Sequence, residues 1–209
     1  MNTTHNIDTA ALFSRIIAAE SAAVASIPAS QGYEQALRLI LEHVHRRHGK
    51  LVVSGMGKCG QIAMNIATTF CSTGTPAVFL HPAEAQHGDP GILQADDLLL
   101  LLSNSGKTRE IVELVDLARR LNPDVPLIVI TGNDRSPLAQ EADVCLHTGG
   151  APEVCPLGLT PTVSTTQMTV MGDVLVVATM TAIGLTAHDY ALRHHGGYLG
   201  SAAKKAANC

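Results

Sequence analysis

The chain has 209 residues, 46% apolar and 15% charged, which excludes a disordered polypeptide and fits one domain or slightly more. At this size a fold buries roughly 70% of its unfolded surface, so the core needs no disulfide or metal staple. With 14 basic against 18 acidic residues, 3% aromatics and no Trp, neither polyanion binding nor an aromatic nucleic-acid platform is expected; a local pocket for one small phosphate remains compatible.

Residues 8–26 read as an amphipathic, Ala-rich helix, broken by Pro28 and Gly32. Asp8, Arg15 and Glu20 interrupt this region, so no signal peptide is expected. A second helix places Tyr33, Leu37, Ile40 and Val44 on one face and ends in His45-Arg46-Arg47-His48-Gly49. Cations followed by Gly suit a helix C-terminus, and the cluster reads as a solvated helix end rather than a binding patch. Strands and helices then alternate. The strands are Leu51–Val53, Ala77–Leu80, Leu98–Leu102, Leu127–Ile130 and Val144–Leu146. The helices are Cys59–Ser72, Thr108–Leu121, a short Pro137–Glu141, a long Ser164–Ile183 and Ala187–Arg193. The unbroken apolar run Leu98–Leu102 implies a strand covered on both faces, as in parallel sheets.

The pattern predicts an α/β, doubly wound, three-layer sandwich with a five-stranded parallel sheet of flavodoxin-like type over residues 33–200. Residues 1–32 read as a helical extension and 201–209 as a flexible tail. The apolar stretch Val170 to Leu185 is short for a membrane span and reads as a buried helix, in which Asp173 would need partners. The cysteines, Cys59, Cys71, Cys145, Cys155 and Cys209, are odd in number and lack a CxxC pair, which points to a reduced, cytoplasmic setting.

Ligands of such folds sit at the carboxyl ends of the strands. Two strand ends carry one pattern: Ser54-Gly55-Met56-Gly57-Lys58 after the first, Ser103-Asn104-Ser105-Gly106-Lys107-Thr108 after the third. Small residues let backbone N–H groups approach a ligand, a helix start adds roughly half a positive charge, and hydroxyls add donors. Together they form an anion cradle suited to one phosphate. Gly55-Met56-Gly57-Lys58-Cys59-Gly60 also fits GxGxxG, but the second strand ends in His81-Pro82 and not in the acidic residue a dinucleotide site needs. Gly106-Lys107-Thr108 lacks the earlier Gly of a P-loop, since Leu101 occupies that place.

The run Ser103-Asn104-Ser105-Gly106, followed by Thr108 and Glu110, resembles the phosphosugar loop of the sugar isomerase (SIS) fold. So do Gly55-Met56-Gly57-Lys58; Ser72-Thr73-Gly74-Thr75-Pro76; His81-Pro82-Ala83-Glu84-Ala85-Gln86-His87-Gly88-Asp89; Cys155-Pro156-Leu157-Gly158-Leu159-Thr160-Pro161-Thr162; Met171-Gly172-Asp173; and His194 ahead of Gly196-Gly197. In this order, over about residues 33 to 200, they resemble the arabinose 5-phosphate isomerases, which interconvert ribulose 5-phosphate and arabinose 5-phosphate at the entry to Kdo. Family members often carry a C-terminal pair of CBS domains; this chain reads as a single-domain form.

The resemblance implies catalytic roles for Lys58, Glu110, Glu153 and His194. Aldose–ketose isomerisation through an enediol needs a base, a manager of oxygen charge and a phosphate anchor. Glu153 is the expected base, with partial burial beside Val154 and Leu157 expected to raise its pKa. Imidazole at His194 suits ring opening or proton shuttling, and in this fold that histidine reaches a neighbouring subunit's site. His195 replaces the family's Pro there, so either histidine is a candidate. Lys58 would stabilise the enediolate; Glu110 would orient the sugar or act in catalysis. Ser54, Gly55, Gly57, Thr73, His87, Ser103, Asn104, Ser105 and Thr108 are the expected substrate contacts. His87 and Asp89 alone make no metal site, and no cofactor or metal is expected. Lys107 stands where many members have Glu, and Met64-Asn65 where basic residues are usual; both bear on substrate preference. The expected partners are a phosphosugar and further copies of the chain as a homodimer or homotetramer, without nucleic acid or membrane. A non-catalytic phosphosugar or nucleotide-sugar sensor, or an isomerase of another phosphosugar, is the alternative.

Overall fold

The computed structural model describes residues 8–207. Leu51–Gly55 (β1), Ala77–Phe79 (β2), Leu98–Leu102 (β3), Leu127–Thr131 (β4) and Val144–His147 (β5) form one five-stranded parallel sheet, ordered β2-β1-β3-β4-β5. The chain winds outward from β1 to β2, then returns across β1 to β3. The switch point of the fold therefore lies between β1 and β3, the two strands whose ends carry the paired Ser-x-x-Gly-Lys loops.

Helices α1 (Thr9–Ala25), α2 (Gly32–Ile40), α3 (Lys58–Ser72) and α6 (Val163–Ala182) lie on one side, with α4 (Arg109–Leu121) and α5 (Pro137–Glu141) on the other. The strand period of two divides β3 between them. Leu98, Leu100 and Leu102 pack with α2, α3 and α6, while Leu99 and Leu101 pack with α4. This is the three-layer α/β sandwich the apolar runs predict. Helices α7 (Ala187–Arg193) and α8 (Gly197–Ala207) pack against each other.

Small residues allow the close approaches. A Cβ at Gly172 of α6 would lie 2.5 Å from Ile66 of α3. One at Gly55 would lie 2.6 Å from the Cys59 carbonyl oxygen, so this glycine lets the first turn of α3 fold back over the end of β1.

Several boundaries differ from the sequence reading. β1, β4 and β5 run on to Gly55, Thr131 and His147, toward the ligand-binding edge. Gly32 opens α2 instead of only breaking α1. That helix continues through a π-helical turn, Leu41–Arg46, which carries Val44 into the core. His48, not Gly49, adopts the left-handed conformation (φ 62°) after it. Residues Ser201 to Ala207, read as a tail, are helical within α8; Asn208 and Cys209, like residues 1–7 of the expected N-terminal extension, lie outside the described residues. Asp173 is exposed, so it needs no buried partner.

Candidate active site

The loops after β1, β2, β3 and β5 bring most of the expected residues to one edge of the sheet. Gly57 is the N-cap of α3 at φ 61°, with open space where a Cβ would stand, so its backbone faces outward unhindered. Lys58, the first residue of α3, is exposed. It lines a groove of about 440 Å³ between α3 and α6, together with Gln61, Ile62, Asn65, Pro161, Thr165 and Thr169. Burial pushes the Cys59 thiol up, partly opposed by the nearby Asn104 backbone, so the β1 loop lies close to the β3 loop.

The β3 loop is a closed turn. Gly106 N–H donates to the Ser103 carbonyl at 3.1 Å and to its hydroxyl at 3.2 Å. The hydroxyls of Ser103 and Thr108 lie 2.9 Å apart, and Lys107 N–H donates to Ser105 Oγ at 3.2 Å. Gly106 sits at φ 61°, and a Cβ there would collide with the Ser136 hydroxyl. The neighbouring β4 loop braces it: Gly132 N–H donates to the Asn104 carbonyl at 3.1 Å and Asn133 Nδ2 to the Ser105 carbonyl at 3.3 Å. Asn104, Ser105 and Lys107 are exposed, Thr108 is half-buried and Ser103 is buried. Thr108 is the N-cap of α4, yet its side chain makes no cap hydrogen bond. Glu110 follows in the first turn, half-buried, its side chain in no hydrogen bond or ion pair among the described residues. His87 is exposed at the end of the single-turn helix Glu84–His87, which packs against α4.

Ser54 is placed differently from the expectation. It is fully buried, and its hydroxyl donates to the Leu80 carbonyl at 2.6 Å, pinning β1 to the end of β2 instead of facing the cradle.

Glu153 enters from the segment between β5 and α6. Its Oε2 accepts from Thr162 N–H at 2.7 Å, Thr162 Oγ1 at 2.8 Å and Ser164 N–H at 3.4 Å; its Oε1 accepts from the Ser164 hydroxyl. Burial pushes the Glu153 carboxyl up, but hydrogen bonds from Ser164 and Thr162 outweigh it and hold the group below its ordinary value. The expected upward shift is therefore corrected to a downward one. Sequence reasoning does not single out Thr162 and Ser164 as site residues, although Thr162 immediately before the apolar helix carries an N-cap signal. Nor does it give Cys155 a role beyond its place in the Cys155–Thr162 segment. Its Sγ accepts from Leu159 N–H at 3.3 Å and Thr160 N–H at 3.1 Å, and hydrogen bonds from Thr160 lower the thiol to about 7.

Thr73 and His194 do not reach this edge in their own chain. α3 runs back along the sheet for 15 residues, about 22 Å at 1.5 Å per residue. Thr73 caps its far end, buried, with its hydroxyl donating to the Thr69 and Phe70 carbonyls. Gly74 beside it lies against the Arg193 guanidinium, which locates His194 at the same far corner. The His194 ring stacks on Tyr190 at 3.8 Å, and its Nδ1 lies 2.9 Å from the Tyr190 carbonyl. His195 is exposed. Among the described residues no three of His, Cys, Asp and Glu gather as a metal-holding group, and no helix is long and apolar enough to cross a membrane.

The same arrangement of sequence and fold recurs in known proteins. The chain is 47% identical over 202 residues to arabinose 5-phosphate isomerase KdsD of Pseudomonas aeruginosa, covering 96% of this chain and 60% of that protein. It is 50% identical over 170 residues to KdsD of Escherichia coli K12, covering 81% and 51% respectively. The chain thus spans between half and two thirds of the length of these curated relatives. Among solved structures, a proposed phosphosugar isomerase involved in capsule formation from Bacteroides fragilis superimposes with a TM-score of 0.88 at 65% identity, over 89% of this chain and 97% of that one. An Escherichia coli CFT073 protein, solved in complex with arabinose 5-phosphate, superimposes at 0.80 and 35% identity, over 93% and 100%. Residues 43–178 match the SIS domain model, and the parallel sheet with its phosphosugar-type loop agrees with that match: the chain belongs to the SIS domain family.

Proposed function

We propose that the chain is an aldose–ketose isomerase that interconverts D-ribulose 5-phosphate and D-arabinose 5-phosphate through an enediol, supplying Kdo synthesis in the cytoplasm. The observation that carries this reading is the identity of 47% over 96% of the chain to an arabinose 5-phosphate isomerase. It is supported by the placement of Lys58, the Ser103–Thr108 loop, Glu110 and Glu153 at one sheet edge.

The reading divides the chemistry by charge. The exposed backbone of Asn104 and Ser105, with the hydroxyls of Ser105 and Thr108 at the start of α4, takes the substrate phosphate. Glu153, kept ionised by its hydrogen bonds, is the base that moves the proton between C1 and C2; Oε1, with the Ser164 hydroxyl as its one donor among the described residues, retains a lone pair for it. The Lys58 ammonium stabilises charge on the enediolate oxygen, and Glu110 orients the sugar hydroxyls. His194 comes from a second copy, because its own chain holds it at the far corner, and it serves ring opening. An oligomer with shared sites follows from this assignment.

Ribulose 5-phosphate incubated with the purified protein and followed by NMR tests the reading. Arabinose 5-phosphate forms with the unmodified protein and not with Glu153→Gln. Binding of the sugar phosphate without conversion would replace the isomerase with a sensor or with an isomerase of another phosphosugar.

A further inference from the structure

The start of α6 is built in an uncommon way. An N-cap threonine ordinarily turns its hydroxyl onto the N–H groups of its own helix. Thr162 is the N-cap of α6 and makes no such bond. Its hydroxyl instead donates to Glu153 Oε2 and accepts from Val154 N–H at 3.2 Å. The carboxylate that meets the helix N-terminus is that of Glu153 itself, nine residues upstream of the cap. Ser164, 5% exposed, closes the arrangement by donating its hydroxyl to the other carboxylate oxygen. Beyond this pair, Cys155 Sγ accepts from Leu159 and Thr160 and zips the loop shut.

We infer that Thr162 and Ser164 are positioning residues for Glu153, fixing the orientation of the base from the first turn of α6. The inference rests on the reading of Glu153 as the base. Four donors fix both oxygens of one carboxylate, so its plane is set by α6, and α6 is set against α3, which carries Lys58. Base and cation are thereby held in register by helix packing rather than by contact with each other. The titratable groups bordering this corner are Cys155 in the loop, Arg15 of α1 over Cys155, and Lys58 of α3 beside Pro161. None of them bonds Glu153, which leaves Thr162 and Ser164 as its partners.

The test uses the full chain with Ser164→Ala, Thr162→Val and Thr162→Ser. Two readouts are taken: the carboxyl ¹³C titration of Glu153, assigned by its loss in Glu153→Gln, and the pH profile of turnover with ribulose 5-phosphate. Ser164→Ala and Thr162→Val each raise the Glu153 midpoint by about one pH unit, because each removes a donor to the charged form. The acid limb of kcat/KM moves with it, kcat falls about tenfold while KM changes little, and Thr162→Ser restores both readouts. A merely structural cap would shift the midpoint and lower thermal stability but leave kcat and the pH profile of turnover in place; that result overturns the inference, as does a Thr162→Ser variant as impaired as Thr162→Val. Midpoint shifts in a protein that does not turn over ribulose 5-phosphate keep the hold on Glu153 and overturn the isomerase reading instead.

Discussion

Glu153 stands under two opposed influences, and their balance decides its behaviour. Burial favours the neutral acid; donors from Ser164 and Thr162 favour the carboxylate, and the donors win. Because the folded pKa is depressed, this group stabilises the fold at pH values above its unfolded pKa, near 4.3, and that contribution is lost as pH falls through the lower folded value. Glu153→Gln therefore flattens the acid end of a thermal-stability profile, as well as removing turnover while leaving phosphosugar binding in place; loss of binding with undiminished turnover of bound substrate would refute the base assignment. Cys155 behaves differently from Cys59 and Cys145. Hydrogen bonds from Thr160 lower it to about 7, whereas burial raises Cys59 and Cys145. Alkylation by iodoacetamide, mapped by mass spectrometry, is expected at Cys155 ahead of Cys59 and Cys145, with a rate that rises through about pH 7. Uniform labelling of Cys59, Cys145 and Cys155 would contradict this.

At the scale of elements, two glycines test how the loop and the helix pair are built. Gly106→Ala forces a side chain into the left-handed region and onto the Ser136 hydroxyl. It is expected to open the phosphate loop and raise KM at least tenfold with kcat less affected, read from initial rates. Gly172→Ala sets a methyl 2.5 Å from Ile66 and pushes α6 from α3; a stability loss of about 1–3 kcal/mol in urea titration is expected. The elements themselves were largely legible. The unbroken run Leu98–Leu102 announced a doubly covered strand, and the repeated Ser-x-x-Gly-Lys marked the two ends that flank the switch point. Other features escaped because they depend on distant partners. The π-helical turn at Leu41–Arg46 answers to where Val44 must reach the core. The burial of Ser54 follows from the position of the Leu80 carbonyl, which no local pattern encodes. Glu153 was legible as a residue, but the sign of its shift required knowing that the first turn of α6 would face it.

The whole molecule divides the candidate residues between two ends. Lys58, the β3 loop, Glu110 and Glu153 stand at one edge of the sheet, while Thr73 and His194 stand at the other end of α3. The sequence held the same residues in chain order; α3 and α6, which run side by side away from this edge, separate them in space. A single protomer cannot bring His194 to its own Lys58 without unpacking α7 and α8 from the far corner, where Gly200 of α8 lies directly against the His194 carbonyl. With His194 assigned to the site as proposed, joining the two sets calls for a second copy, presented in the symmetric manner usual for homo-oligomers. Two inactive variants give the prediction its sharpest form. His194→Ala lacks the histidine and Lys58→Ala lacks the cation, so on the proposed assignment each variant alone is expected to be inactive. Co-refolded in equal amounts, they form mixed pairs in which one site has both defects and the other has neither. Activity is then expected to return to about a quarter of the unmodified level, since about half of randomly formed dimers are mixed and each carries one intact site of two. Sites confined to single protomers would leave the mixture inactive, and His194 would have to be replaced as a member of the site.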